Sequence, residues 1–168
     1  MIKKIKEFFI YIFFGEDKKS DLLFFLFIIF VYGIIYLIYP PLFSVIVTPS
    51  MEHKYFYPEK YLKYNITLQN FSTFPYPNGL YVGDVMIILP IDPKYINVGD
   101  VVLYKGMYKY KEDIFHRVVG INNNSFIIIG DNNPGPIVEE YENNMPPERI
   151  LGVGILRIPF IGIIKTLI

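Results

Sequence analysis

"DVVLYKGMYKYKEDIFHRVVGINNNSFIIIG", residues 100–130, contains three short runs rich in Val, Ile, Phe and Tyr, at 100–104, 114–121 and 125–130. β-Branched and aromatic side chains suit a pleated surface, and Gly, Asn and Asp punctuate these runs, so each predicts a β-strand. "NNNS" at 122–125 predicts a hairpin turn, because Asn tolerates left-handed backbone. Two further runs, "DVMIILP" at 84–90 and "ILGVGILRI" at 150–158, extend the pattern on either side. "VGDV" occurs at 82–85 and again at 98–101, each time as a glycine turn entering a strand. With no heptad or helical stripe in this half, the expected fold class is mainly β.

Upstream the character changes. Residues 22–39 read "LLFFLFIIFVYGIIYLIY", with no charged side chain. As a helix rising 1.5 Å per residue they span roughly 27 Å, close to the hydrocarbon thickness of a bilayer. Pro40 and Pro41 end such a helix. The run is longer than the apolar region of a signal peptide and no small-x-small cleavage motif follows it, so residues 21–40 are expected to be an uncleaved anchor. Lys3, Lys4, Lys6, Lys18 and Lys19 precede it and the next cation is Lys54. The positive-inside rule then places the N-terminus in the cytoplasm and residues 41–168 outside. Residues 1–20, with "KKIKEFFIYIFF", are expected to lie in the cytoplasmic interface with their aromatics against lipid; a tail docked on the domain is the alternative. The C-terminal "IPFIGIIKTLI" is apolar but only half a membrane thickness long, and reads as a last strand with a stub touching the membrane.

The 168 residues allow one modest domain besides this appendage. Sixteen basic and sixteen acidic side chains give no net charge, and no basic stripe offers a footprint for nucleic acid. The absence of cysteine excludes disulfides, thiolate catalysis and Cys-based zinc sites, and two histidines are too few for a His-rich metal site. No metal and no cofactor are expected. Residues 54–80 are heavy in Tyr, Phe, Pro and Asn without a clear period, and read as an inserted loop or small subdomain. Triplets beginning at Asn65, Asn70 and Asn123 fit the N-glycosylation pattern, in keeping with an exterior location.

Just past the apolar run, "VIVTPSMEHKY" at 45–55 sets Ser50 between a proline and a methionine. A serine hydroxyl becomes a useful nucleophile only when a base takes its proton. His53 is close in sequence but shares a tight turn with the serine. His116 sits in a strand pattern, with Phe115 and Arg117 flanking it on the other face, and a rigid strand can hold an imidazole within about 3 Å of a hydroxyl. Asp131 follows a strand and Gly130 in "IIIGDNNPGP", where a carboxylate can face back toward the sheet and hold an imidazole N–H. The bland alternative is a sheet histidine and a turn serine with no chemistry between them.

"PSM", "VGDVMII", "VGDVVLY", "FHRVVGI" and "IIIGDNNPGP", in that order behind an N-in anchor, resemble the type I signal peptidases. The likeness is greatest to their archaeal and endoplasmic-reticulum branch, which has histidine where the bacterial enzymes have a lysine base. It covers residues 22 to about 136, except for the stretch 54–80. It implies a compact, mostly antiparallel β domain resting on the outer membrane surface. It also implies a serine endopeptidase that removes signal peptides from secretory preproteins after small residues at −1 and −3. Its partners would then be preproteins, the lipid bilayer and the protein-translocation channel. By the resemblance Ser50 is the nucleophile, His116 the base and Asp131 the first aspartate of the "GDNN" motif. The Thr48 hydroxyl would help the Ser50 N–H to form the oxyanion hole. Pro49 stands where the family commonly has glycine. The family's second aspartate has no match, since Ile137 and Val138 occupy its place. Glu139 or Glu140 is then expected to supply the missing carboxylate, or Asp131 serves alone. Two other outcomes remain open from the residues: a non-catalytic membrane-anchored assembly module, and a peptidase specialised for one surface-protein precursor.

Overall fold

Asn122 pairs with Ser125 across the turn that the Asn-rich tetrapeptide predicted, joining two strands of an antiparallel sheet. The structure is a computed structural model that describes residues 2–38, 43–54, 59–106, 112–123, 125–136 and 142–161. It divides into two units, Met1–Leu42 and Phe43–Ile168.

In the first unit, helix α1 (Ile2–Phe14) and helix α2 (Lys18–Ile38) pack on each other. The rings are edge-on: Phe13 meets Phe24 and Phe27, and Phe9 meets Phe27. Some of the aromatics expected against lipid are therefore spent on α2, while Phe8 and Phe14 remain exposed. Asp17 caps α2 by accepting from the Ser20 N–H at 2.7 Å. α2 is long and apolar enough to cross a membrane. Pro40 and Pro41 lie outside the described residues.

The second unit is built on six strands: β1 (Phe43–Val45), β2 (Val85–Leu89), β3 (Val101–Lys105), β4 (Asp113–Asn122), β5 (Ser125–Ile129) and β6 (Ile150–Ile158). Among the described residues they form one sheet in the order β1-β2-β6-β3-β4-β5, with every pairing antiparallel. All five strand runs read from the sequence are present. β1 escaped that reading because it is only three residues long and owes its extended form to pairing with β2. The two "VGD" turns fold alike. Gly83 and Gly99 have φ of +91° and +102°, a region L side chains avoid, and in each turn the aspartate accepts the backbone N–H three residues back.

Pleating explains why "VVLY" reads as a continuous apolar run. Val101 and Leu103 enter one core with Ile46, Met51 and Phe115, while Val102 and Tyr104 enter another with Val118, Phe126 and Ile128. The sheet is thus buried on both faces here. Among the described residues of the stretch 54–80 lie two short helices, α3 (Glu59–Leu62) and α4 (Leu68–Ser72). Tyr61, Ile66 and Phe71 from this stretch pack against Val119 and Ile129 of β4 and β5. These residues are therefore fastened to β4, which carries His116, and to β5.

Candidate active site

The dipeptide His116-Arg117 divides between the two faces of β4. In the register with β3, His116 lies opposite Val102 and Arg117 opposite Val101, and alternate side chains leave a strand on opposite sides. Each enters its own buried network.

His116 points into the core that contains Tyr104. Its Nδ1 lies 2.7 Å from Glu142 Oε1, and both side chains are fully buried. The Tyr104 hydroxyl donates to the same carboxylate oxygen at 2.6 Å. In the tautomer in which Nδ1–H donates to this oxygen, the Nε2 lone pair is left to accept. Nε2 is buried and has no hydrogen-bond partner among the described residues. A buried, unpaired ring nitrogen whose tautomer is held by a carboxylate has the form of a general base awaiting a proton.

Asp131 is elsewhere. Its two oxygens accept from Arg117 Nε and Nη2 at 2.9 and 2.7 Å, from the Tyr61 hydroxyl at 2.7 Å, and lie 3.0 Å from His53 Nε2. Burial alone would raise its pKa, but the Arg117 guanidinium and these hydrogen bonds override that and hold it at about 2. Arg117 also donates to the carbonyls of Pro75, Tyr76 and Gly99. The expectation that Asp131 holds His116 is therefore corrected. Arg117 leaves β4 on the face opposite His116 and takes the aspartate with it, and the carboxylate on His116 is Glu142. Glu139 and Glu140, the expected substitutes, lie outside the described residues. Glu142 is the third acid of the same short run, "EEYE", and no spacing rule singles it out.

Ser50 lies in a 3-10 turn, Pro49–Met51, started by the proline. The turn is clamped by the loop after β5. The Asn132 N–H donates to the Ser50 carbonyl at 2.8 Å, and Asn132 Nδ2 donates to the Pro49 carbonyl at 3.0 Å. Gly130 is where Ser50 and His116 meet. A Cβ there would lie 2.7 Å from the Ser50 carbonyl oxygen, 2.8 Å from His116 Nε2 and 2.5 Å from Asn133 Nδ2. The fold thus brings Ser50 and His116, 66 positions apart in the chain, to the same glycine. The Ser50 hydroxyl itself faces Thr48, with Oγ and Oγ1 3.3 Å apart, rather than the imidazole. His53 is held by Asp131 and packs near Phe71, so it belongs to the Arg117 network.

Thr48 and Ser50 line a cleft of about 480 Å³ whose other wall includes Asp113, Ile114 and Phe115. Among the described residues β1 is the end strand of the sheet, and β5 pairs with β4 only from Arg117 onward. A sheet edge is a template for an added extended chain. Among the described residues no cluster of His, Asp and Glu is arranged to hold a metal ion. No protein-family model, no curated protein and no solved structure matches this chain.

Proposed function

We propose that the protein is a membrane-anchored serine endopeptidase of the signal peptidase I type, acting on exported preproteins at the outer face of the membrane. The observation that carries this proposal is the buried His116–Glu142 pair, with an unpartnered Nε2 next to the turn that bears Ser50. In the mechanism, Ser50 Oγ turns from Thr48 toward Nε2, which takes its proton as the hydroxyl attacks the scissile carbonyl. Apo catalytic contacts are often loose and tighten with substrate. The Ser50 N–H and the Thr48 hydroxyl stabilise the oxyanion, where one such donor is worth on the order of 10²–10³ in rate. His116 then returns the proton to the leaving amine and activates the water that frees the enzyme. Glu142 holds the imidazole throughout and stabilises the imidazolium.

The substrate binds as an extended strand between the edges at residues 45–48 and 113–115, with small residues at −1 and −3 seated against the apolar wall. The orientation that follows from the lysines before α2 places this cleft outside the cytoplasm, where preproteins emerge from the translocation channel. Anchoring enzyme and substrate in one bilayer raises their effective concentration. The test is cleavage of a preprotein in detergent by wild type, Ser50→Ala and His116→Ala. Cleavage by wild type with loss of at least about 10³ in both variants is the expected result. A wild type that neither cleaves any preprotein nor reacts with a serine-directed probe overturns the proposal in favour of an assembly module. Cleavage of a single surface-protein precursor would mark a specialised peptidase.

A further inference from the structure

We propose that Lys60, on helix α3, is a positioning residue that holds the 130–133 loop in the form that clamps Ser50. The kinetic part of this proposal rests on the peptidase function above; the structural part does not.

Lys60 lies on α3, and its ammonium donates to three carbonyls of a single four-residue loop: Gly130 at 2.8 Å, Asp131 at 2.6 Å and Asn133 at 2.6 Å. An ammonium has three N–H donors, so the match is complete. Three carbonyl dipoles converging on one point repel each other unless a cation sits there, so the charge determines the loop's shape. The same loop clamps the serine turn through Asn132, and its Gly130 lies against His116 Nε2. A chain of direct contacts therefore runs from Lys60 through the loop to both members of the catalytic pair.

The charge also makes this brace sensitive to pH. Burial lowers the Lys60 pKa to about 8; the Asp131 carboxylate opposes that shift and the Arg117 guanidinium adds to it. The Tyr61 ring lies 5.1 Å from Nζ, and His53 faces Asp131 from the other side. Below pH 8 the ammonium keeps all three bonds. Above it the neutral amine has two donors and no charge, and the loop loosens.

The test uses the full chain in detergent micelles. Hydrogen exchange, expressed as protection over the intrinsic rate, is followed for the peptide covering residues 130–136. The expected result is protection in wild type that drops at least tenfold between pH 7 and pH 9, and is already low at pH 7 in Lys60→Met. On a preprotein, Lys60→Met should lower kcat about 10- to 100-fold with KM within twofold. Lys60→Arg keeps its charge and should move the alkaline limb of the rate profile up by a pH unit or more. Wild-type protection in Lys60→Met, or an alkaline limb unmoved in Lys60→Arg, overturns the proposal. If Lys60→Met does not fold, the wild-type and Lys60→Arg exchange profiles decide alone. If wild type cleaves nothing while the exchange behaves as stated, the peptidase function fails and the brace stands.

Discussion

Replacing Glu142 with Gln tests the site most directly. Its Oε1 accepts from His116 Nδ1 and from the Tyr104 hydroxyl, and under the proposed mechanism its charge would also face the imidazolium formed when Ser50 gives up its proton. A glutamine with its carbonyl in the same place keeps both hydrogen bonds, removes the charge and turns the second oxygen from an acceptor into an N–H donor. At the 2.7 Å contact the charge centres are about 4 Å apart, and an effective dielectric near 20 makes the lost interaction about 4 kcal/mol. Since about 1.4 kcal/mol is tenfold in rate, kcat/KM should fall by about 10³. Glu142→Ala is the poorer probe, because it removes the buried acceptor shared by the Tyr104 hydroxyl and the His116 N–H, which lie 3.2 Å apart and can then pair with each other, so that charge, tautomer and packing change together. The assay is steady-state cleavage of a preprotein in micelles, with thermal unfolding run on the same samples. Glu142→Gln with an unchanged melting temperature and activity within tenfold of wild type, beside inactive Ser50→Ala and His116→Ala, would refute the assigned role.

Three further outcomes follow from the geometry. If Ser50 and His116 react as proposed, Gly130→Ala should lose at least about 10²-fold in kcat, because a Cβ placed 2.8 Å from His116 Nε2 and 2.7 Å from the Ser50 carbonyl forces them apart; activity like that of wild type would count against their meeting here. Asp131 has a folded pKa of about 2 against an ordinary 3.8, so it binds fewer protons folded than unfolded, and its contribution is present above pH 4 and lost as pH falls through 2. That loss is about 2 kcal/mol, read by denaturant unfolding across this window. Asp131→Asn should cost about 3–5 kcal/mol at neutral pH by leaving Arg117 buried without its counter-charge, and the gap to wild type should narrow in acid; a constant gap would exclude the pair as its source.

The strands were legible because β-branched and aromatic runs bounded by Gly, Asn and Asp have few other ways to bury themselves. Helix α2 was legible from its length and the absence of charge in residues 22–39. Ser50 and His116 stood out because few residues of their chemistry exist in the chain. The stretch at 54–80 showed no period because its order comes from Tyr61, Ile66 and Phe71 settling on β4 and β5, not from a repeat of its own.

The choice of carboxylate lay beyond local reading. Asp131 follows a strand in a motif that invites a catalytic role, yet alternation along β4 turns Arg117 and His116 to opposite faces, and the guanidinium claims the aspartate. Glu142 lies 26 positions from His116 and meets it only through the tertiary fold, which also brings it to the Tyr104 hydroxyl. Composition and periodicity determined which segments are strands, which helix can span a bilayer and which side chains can do chemistry, since these depend on neighbours within a few residues. Which acid meets which base depends on sheet register and on how loops close, and those are settled only when distant parts of the chain compete for the same buried space.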